Sequence, residues 1–232
     1  MKKTLLFIVA LVFGTSSLIA QDNCSKYYPL VEGSTLEYTF YNKKGKQDGK
    51  MEYSVSNVTD VAGQTTGTFS MSFIDKKGKS SFSSEYDLSC TGEGIKIDHM
   101  SILPTQMMSQ YEDMDIDMDI TGTDIELPND LSVGQQLADA NVSCKMNISG
   151  IKMNIEVTQV DRKVEKKETI TTPAGTFDCY VLNETTKSKT MGANIEINTK
   201  TWLAEGVGMI KSETYKKNGN LESRSELSKY SK

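Results

Sequence analysis

From Ser34 to Tyr230, apolar and polar residues alternate with a period of two, as expected for strands with one wet face. Leu36-Glu-Tyr-Thr-Phe-Tyr41 and Met51-Glu-Tyr-Ser-Val55 carry the pattern and flank the turn segment Asn42-Lys-Lys-Gly-Lys-Gln-Asp-Gly49. The same turn chemistry returns in Ile74-Asp-Lys-Lys-Gly-Lys-Ser80 and in Tyr215-Lys-Lys-Asn-Gly-Asn220. Glycine supplies the positive φ of a tight hairpin, and lysine keeps its tip in water. Later segments alternate equally well. Val142, Cys144, Met146 and Ile148 share a face, as do Ile151, Met153, Ile155 and Val157. Phe177, Cys179 and Val181 point one way and Tyr180 and Leu182 the other, and Ala193–Leu203 alternates around Ile195, Ile197 and Trp202. Helical periodicity is confined to a short turn expected near Ile102–Glu112, where Met107, Met108 and Tyr111 are spaced for it.

Short, regularly spaced strands and only four prolines predict an all-β fold. The expected architecture is a strongly curved antiparallel sheet or open barrel built from hairpins, with two β halves meeting near Thr123–Asp139, where Pro128 and Gly134 lie. One stretch tests the strand reading. In Tyr111–Pro128, Asp113, Asp115, Asp117 and Asp119 alternate with Met114, Ile116, Met118 and Ile120. Alternate strand residues stand about 6.6–6.9 Å apart, so these carboxylates do not converge on one cation. A calcium loop requires glycine at its sixth position, but counting from Asp113 that position is Met118. The row therefore reads as the wet face of a strand. Lysines of a neighbouring strand, such as Lys163, Lys166 and Lys167, are the expected counter-charges.

The N-terminus changes the compartment. Lys2 and Lys3 precede the apolar run Leu5–Phe13 and a small-residue exit to Ala20, which is the pattern of a secretory signal peptide over residues 1–20. That leaves 21–232 as a single β-rich domain. The apolar run is too short to span a bilayer, and no segment of the mature chain approaches the required length. Asp22 and Asn23 before Cys24 do not fit a lipidation signal. The whole chain has 26 basic and 31 acidic residues; without Lys2 and Lys3 the balance is 24 − 31 = −7. Such acidity argues against nucleic acid as a partner.

Cys24, Cys90, Cys144 and Cys179 all follow the leader, and an even count in an oxidising compartment favours disulfides. Of the three pairings possible for four cysteines, Cys24 with Cys90 would pin the N-terminus to the sheet. It leaves Cys144 and Cys179 on apolar strand faces. The sequence contains no CxxC, and a single histidine, His99, makes a zinc site unexpected. There is no G-x-S-x-G element, and no pair of carboxylates stands out among 31. No catalytic residue, metal ligand or cofactor site is therefore assigned. Methionine is abundant, and Met114, Met118, Met146 and Met153 are the expected lining of an adaptable apolar cavity.

Four stretches occur in order between residues 27 and 223: YYPLVEGSTLEYTFYNKKGK, LPNDLSVGQQLADA, VEKKETITTPAGTFDCYVL and TWLAEGVGMIKSETYKKNGNLES. They resemble the TapB family and related exported β-rich proteins of unknown function from gram-negative bacteria. The most specific part is Thr172-Pro-Ala-Gly-Thr-Phe177, with Trp202 and Glu205-Gly-Val-Gly-Met-Ile-Lys211 downstream. The resemblance implies export to the periplasm or outer-membrane surface, a curved sheet, and no established enzymatic role. Physically, Pro173 and Gly175 make a turn ahead of Phe177, Trp202 plugs the end of a curved sheet, and Gly206 and Gly208 mark a turn or bulge. The expected function is that of a non-enzymatic cell-envelope protein binding an apolar small molecule, a peptide or another envelope protein. A structural or assembly factor working through a strand edge is the alternative, and a polysaccharide hydrolase a weaker one.

Overall fold

In the computed structural model, residues 24–28, 30–99, 117–148, 151–190 and 193–232 are described. Thirteen strands follow in chain order: β1 (Thr35–Asn42), β2 (Gln47–Val61), β3 (Gln64–Asp75), β4 (Ser80–Cys90), β5 (Gly94–Ile97), β6 (Asp117–Thr123), β7 (Ile125–Pro128), β8 (Ala140–Ile148), β9 (Ile151–Thr172), β10 (Gly175–Thr190), β11 (Ala193–Ala204), β12 (Gly208–Lys216) and β13 (Leu221–Ser231). They form one sheet in the order β6-β8-β9-β10-β11-β12-β13-β1-β2-β3-β4-β5-β7, and every named pairing is antiparallel. The sheet curls nearly into a barrel with one unsealed seam, as the alternation and turns predicted. The short helical turn expected near Ile102–Glu112 lies outside the described residues.

Local chemistry explains the hairpins. Asn42 N–H donates to Lys46 O at 2.9 Å, Asp75 N–H to Lys79 O at 2.9 Å, and Lys216 N–H to Asn220 O at 2.9 Å. Gly45, Gly78 and Gly219 supply the positive φ in each turn, at 71°, 79° and 79°. In the first two, the Asn42 and Asp75 side chains also accept backbone N–H bonds from the lysines of the turn. One geometry thus repeats because one composition repeats.

The two faces of β10 and β11 are both buried. On one face, Cys179, Val181 and Trp202 pack with Leu36, Tyr38 and Leu227 of β1 and β13. On the other, Leu182 and Leu203 join Val55, Phe69, Leu88 and Ile95 from the β2–β5 side. The apolar runs Cys179–Leu182 and Trp202–Ala204 therefore serve two cores at once. A third buried face, on β8 and β9, comes from the cross-strand pairs Val142 with Val157 and Cys144 with Ile155.

The seam falls at a single residue. β6 ends at Thr123, β7 begins at Ile125, and these two strands are the ends of the sheet order. Within the described part of the aspartate row, Asp119 is exposed and pairs with Lys145 of β8. The lysine across from the row is thus Lys145; the expected Lys163, Lys166 and Lys167 are corrected because β6 pairs with β8 rather than with β9.

Arg162 links the two ends. Asp161 adopts a φ of 56°, and the β9–β10 register slips there, so that Asp161 and Arg162 both stand opposite Glu184. A bulge of this kind re-aims a side chain. Arg162 is only 4% exposed; Nη1 donates to Ala138 O at 2.5 Å and Nη2 to Glu126 O of β7 at 3.2 Å. Its Nε lies 3.5 Å from Glu184 Oε2. The backbone repeats the link, with Leu137 N–H donating to Arg162 O at 2.8 Å and Val164 N–H to Gln135 O at 2.9 Å. Burial pushes the Glu184 carboxyl up, against the pull of Arg162.

On the wall formed by β13, β1 and β2, Glu37 accepts bonds from Ser228 Oγ at 2.8 Å, Lys229 Nζ at 3.1 Å and Lys50 Nζ at 3.1 Å. Partial burial opposes its charge, but the Ser228 hydroxyl and the two ammoniums outweigh it and hold its pKa at about 2.

Two outcomes are expected. Arg162→Ala leaves Glu184 buried without a counter-charge and costs about 3–5 kcal/mol in denaturant unfolding; Arg162→Ala with Glu184→Leu recovers part of the loss. A single variant that unfolds like wild type would show that the link carries no weight. For Glu37, the folded carboxyl titrates below the free value of 4.5, so its stabilisation is present above pH 4.5 and lost as pH falls toward 2. Glu37→Gln is therefore less stable than wild type at pH 6, and the two melting curves converge as pH falls from 4.5 toward 2.

Candidate functional site

The site begins at the first described residues, 24–28. Cys24 and Cys90 form a disulfide with Cα atoms 5.7 Å apart, fastening residues 24–28 to the end of β4. Asn129, just after β7, reinforces this anchor. Its Nδ2 donates to Cys24 O and Gly92 O, both at 2.8 Å, and its Oδ1 accepts Lys26 N–H at 2.7 Å. Beyond the anchor, Gly206 N–H donates to Lys26 O at 2.6 Å, and Tyr230 Oη donates to Gly206 O at 2.8 Å. Tyr28 lies directly on Gly208, where a Cβ would stand 2.9 Å from the ring carbons. Gly208 also has φ of 100°, so space and backbone both require glycine. The Glu205–Gly208 turn is thus held by the N-terminal segment on one side and by β13 on the other.

Between the two cores this assembly leaves a cavity of about 150 Å³. Its walls are Tyr28, Tyr38, Tyr53, Tyr86 and Tyr230, with Phe69 and a few aliphatic side chains including Met209. Tyr38 and Tyr53 meet edge to face, centroids 5.6 Å apart at 87°, and Phe69 stacks on Tyr86 at 5.8 Å and 22°. Such pairs fix ring orientation beyond what area burial alone would do. Tyr38 Oη donates to Met209 O at 2.8 Å, which locks one wall to β12. Burial pushes the phenols up: Tyr53 to about 12, Tyr28, Tyr38 and Tyr86 well above their usual range, and Tyr230 in the same direction. All five are neutral across any ordinary pH. No carboxylate, ammonium, guanidinium or imidazole lines the cavity.

One polar atom is out of keeping with this lining. Ser34 is 1% exposed and its Oγ has no hydrogen-bond partner. Its backbone is fully used, with Ser34 N–H donating to Val31 O at 3.1 Å and Val55 N–H to Ser34 O at 3.0 Å. The hydroxyl alone remains, closed off from solvent, on a residue that borders the cavity.

The residues singled out by sequence fall elsewhere or at the rim. Met146 and Met153 pair across β8 and β9 and line an open depression of about 500 Å³ with Asp119 and Lys145. Met118 sits in β6 opposite Met146, its side chain outside the described set, and Met114 lies outside the described residues. The methionine in the tyrosine-lined cavity is Met209. Pro173 and Ala174 form the two-residue turn between β9 and β10; Gly175 has φ of 140° and lies against the Phe177 ring. Trp202 is buried, donates to Glu168 Oε1 at 2.5 Å and carries Lys211 Nζ 4.6 Å from its ring centroid. Cys144 and Cys179 are buried free thiols; burial raises both pKa values, Cys179 to about 11, which makes them poor nucleophiles.

Sequence reasoning missed the partner of His99. Its Nδ1 lies 2.9 Å from Asp124 Oδ1, the residue at the seam, and 3.4 Å from Asp98 Oδ1. Asp124 Oδ1 also accepts His99 N–H at 3.1 Å. Gly122 makes room, since a Cβ there would meet the His99 ring at 2.9 Å. Asp98, His99 and Asp124 are the described residues that could hold a metal ion, their ligand atoms lying within 4.8 Å of one another. The trio is partly exposed, and its hydrogen bonds already account for its geometry as a clip across β5, β6 and β7.

Two solved structures share this architecture. One is a protein of Bacteroides fragilis described as exported and of YmcC-like fold, 23% identical, with a TM-score of 0.69 over 90% of this chain and 100% of that one. The other, from Parabacteroides distasonis and described as a lipoprotein, is 22% identical, with a TM-score of 0.70 over 89% of this chain and 99% of that one. No curated protein matches the chain significantly. The DUF3108-like family model matches residues 31–227, from just before β1 to Leu227 of β13, and the chain belongs to the DUF3108-like family.

Proposed function

We propose that this is an exported, non-enzymatic protein of the cell envelope that holds a small apolar ligand in the tyrosine-lined cavity. The observation that carries the reading is the cavity itself. Where the two cores meet they leave a partly open aromatic space, walled by side chains whose rings are held in fixed orientations. Interiors normally pack without such space, and apolar pockets with few polar atoms are the usual form of a small-molecule site. The leader pattern of residues 1–20 and the two structural neighbours described as exported or lipoprotein support the compartment. The TapB resemblance of residues 27–223 points the same way. The lining holds neither carboxylate nor imidazole, and burial pushes its phenols up, which makes them weak acids at ordinary pH and favours binding over catalysis.

The sheet ends speak against strand addition as the main activity. β6 presents the exposed Asp119, while β7 is four residues long and closes on Pro128. Charge, shortness and proline are the features by which natural edges resist pairing.

Native mass spectrometry of protein taken from its host envelope is expected to show a co-purifying small apolar molecule. Val207→Phe, which fills the cavity from the turn side, is expected to remove that mass while leaving the melting temperature unchanged or higher. Wild type that carries only a protein partner, with no small molecule, would overturn the reading.

A further inference from the structure

We propose that one end of the sheet is a docking surface for an anionic phospholipid membrane, carried by the lysine-rich hairpin tips. This goes beyond the cavity reading and does not depend on it.

Strand register brings the tips together. Asn42 lies opposite Ser223, so the β1–β2 turn sits beside the β12–β13 turn. Gly49 lies opposite both Phe40 and Asp75, which sets the β3–β4 turn on the other flank of the β1–β2 turn. The β1–β2 tip exposes Lys43, Lys44 and Lys46, and the β3–β4 tip exposes Lys76, Lys77 and Lys79. The β12–β13 tip adds Lys216 and Lys217. Strands β10 and β11 run past that tip in the same direction, since Ile197 lies opposite Lys216, and they bring the exposed Lys187 and Lys189. The turns at the opposite end contain no lysine: Ala62-Gly63, Thr91–Glu93, Pro173-Ala174 and Glu205–Val207.

Charge is thus sorted along the sheet. Residues 42–49, 74–80 and 215–220 hold eight lysines and two aspartates, 8 − 2 = +6, whereas the whole chain carries −5, which leaves −5 − 6 = −11 elsewhere. Asp75 is turned onto its own backbone, accepting Lys77 N–H at 2.8 Å and Lys79 N–H at 3.0 Å. Lys76, Lys216 and Lys217 make surface ion pairs with Asp48, Glu222 and Glu196, at 3.9, 2.9 and 3.2 Å, and such pairs hold their partners weakly. Lys43, Lys44, Lys46, Lys77 and Lys79 make no ion pair among the described residues. Successive hairpins stand two strand spacings apart, about 10 Å. The screening length at physiological ionic strength is about 8 Å, so the potentials of the tips overlap. A molecule sorted in this way turns its basic end to a negative surface and its acidic remainder away.

Three features select lipid over another polyanion. The cations are all lysine, a hydrated point charge that needs no fixed partner geometry and so suits a fluid array of phosphates; shaped recognition favours the arginine fork. The tips project from separate hairpins, so they meet a broad surface rather than track one strand of polymer. Ile195 lies at this end, 58% exposed, and shares an open depression with Ile197, Lys187, Lys189, Lys216 and Lys217. Glu156, Glu196 and Glu222 share it too, so the diffuse attraction comes from the three tips and Ile195 adds an aliphatic contact of the kind that enters a headgroup layer.

Vesicle co-sedimentation tests this, with phosphatidylcholine alone and with equal parts phosphatidylglycerol and phosphatidylcholine. Wild type is expected to bind the anionic vesicles at low salt, to leave them as salt rises, and to ignore phosphatidylcholine. Lys43→Gln/Lys44→Gln/Lys46→Gln is expected to bind roughly ten- to a hundredfold more weakly while melting like wild type. The control Lys96→Gln/Lys163→Gln/Lys232→Gln removes the same charge from exposed positions away from this end and is expected to stay within about twofold of wild type. Equal loss in both triple variants would show net charge alone at work and overturn the proposal. Wild type that stays off anionic vesicles at low salt, or binds both vesicle types alike, would overturn it too, and so would capture by soluble polyphosphate without capture by vesicles. Should the first variant melt far below wild type, Lys76→Gln/Lys77→Gln/Lys79→Gln takes its place with the same expectation.

Discussion

The Arg162 guanidinium holds together a sheet whose own hydrogen bonds do not close it. Thirteen strands in one curled sheet leave two edges, and here the edges belong to β6 and β7, separated by Asp124 alone. The chain cannot pair those strands with each other, because consecutive strands of opposite direction need a reversal and one residue provides none. Instead, Arg162 reaches from β9 to the carbonyls of Glu126 and Ala138, while Gln135 and Leu137 hydrogen-bond the adjoining backbone of β9. An arginine suits this task because its planar fork serves several acceptors at once and stays charged when buried. The cost of burying it is offset only in part by Glu184, whose own carboxyl is pushed up by the same burial. The pair is thus better understood as fixing where the sheet meets itself than as a large net source of stability.

Once the ends are fixed, the rest of the interior follows from curvature. A sheet drawn nearly closed buries its inner face, and the β9–β11 ribbon is buried on its second face as well, against β1, β12 and β13. Two cores then share one pair of strands. The cavity lies where they meet, since Leu36 and Tyr38 of one core and Val55 and Phe69 of the other line the same space. Bulky tyrosines at that junction prop the cores apart. Their hydroxyls remain satisfied where the structure is tightest, as with Tyr38 on Met209 O and Tyr230 on Gly206 O.

How much of this was legible in the sequence depends on how local each signal is. The hairpins were readable because Asn42, Asp75 and their glycines act within five residues. The opposed faces of Val181 and Leu182 were readable because side-chain direction in a strand follows from parity alone. Arg162 was not readable. It lies in the run Asp161-Arg-Lys163, which resembles any solvated strand face, and only the positive φ at Asp161 turns it inward. The clip between His99 and Asp124 was hidden for the same reason, since 25 residues separate them and no spacing rule joins them. An apolar cavity was expected, but the place where the tyrosines enclose one was not readable. Methionine drew attention by its abundance, yet abundance carries no position, whereas the five tyrosines are scattered from Tyr28 to Tyr230 and meet only through the closure of the sheet.

That substitution of tyrosine for methionine changes what the site can discriminate. Methionine side chains have three rotatable bonds and reshape themselves around whatever enters, which favours breadth. Tyrosine has two χ angles, and here edge-to-face contacts and backbone acceptors restrain the rings further. In the proposed binding role, restrained rings favour a narrower ligand class than flexible thioethers would. The N-terminal segment completes that rigidity. Tyr28 is one of the walls, and it is held at one end through Cys24–Cys90 and at the other by the glycine-tight contact with Gly208. The disulfide and the Gly208 contact thus act on one short segment, and through Tyr28 they help set one wall of the cavity.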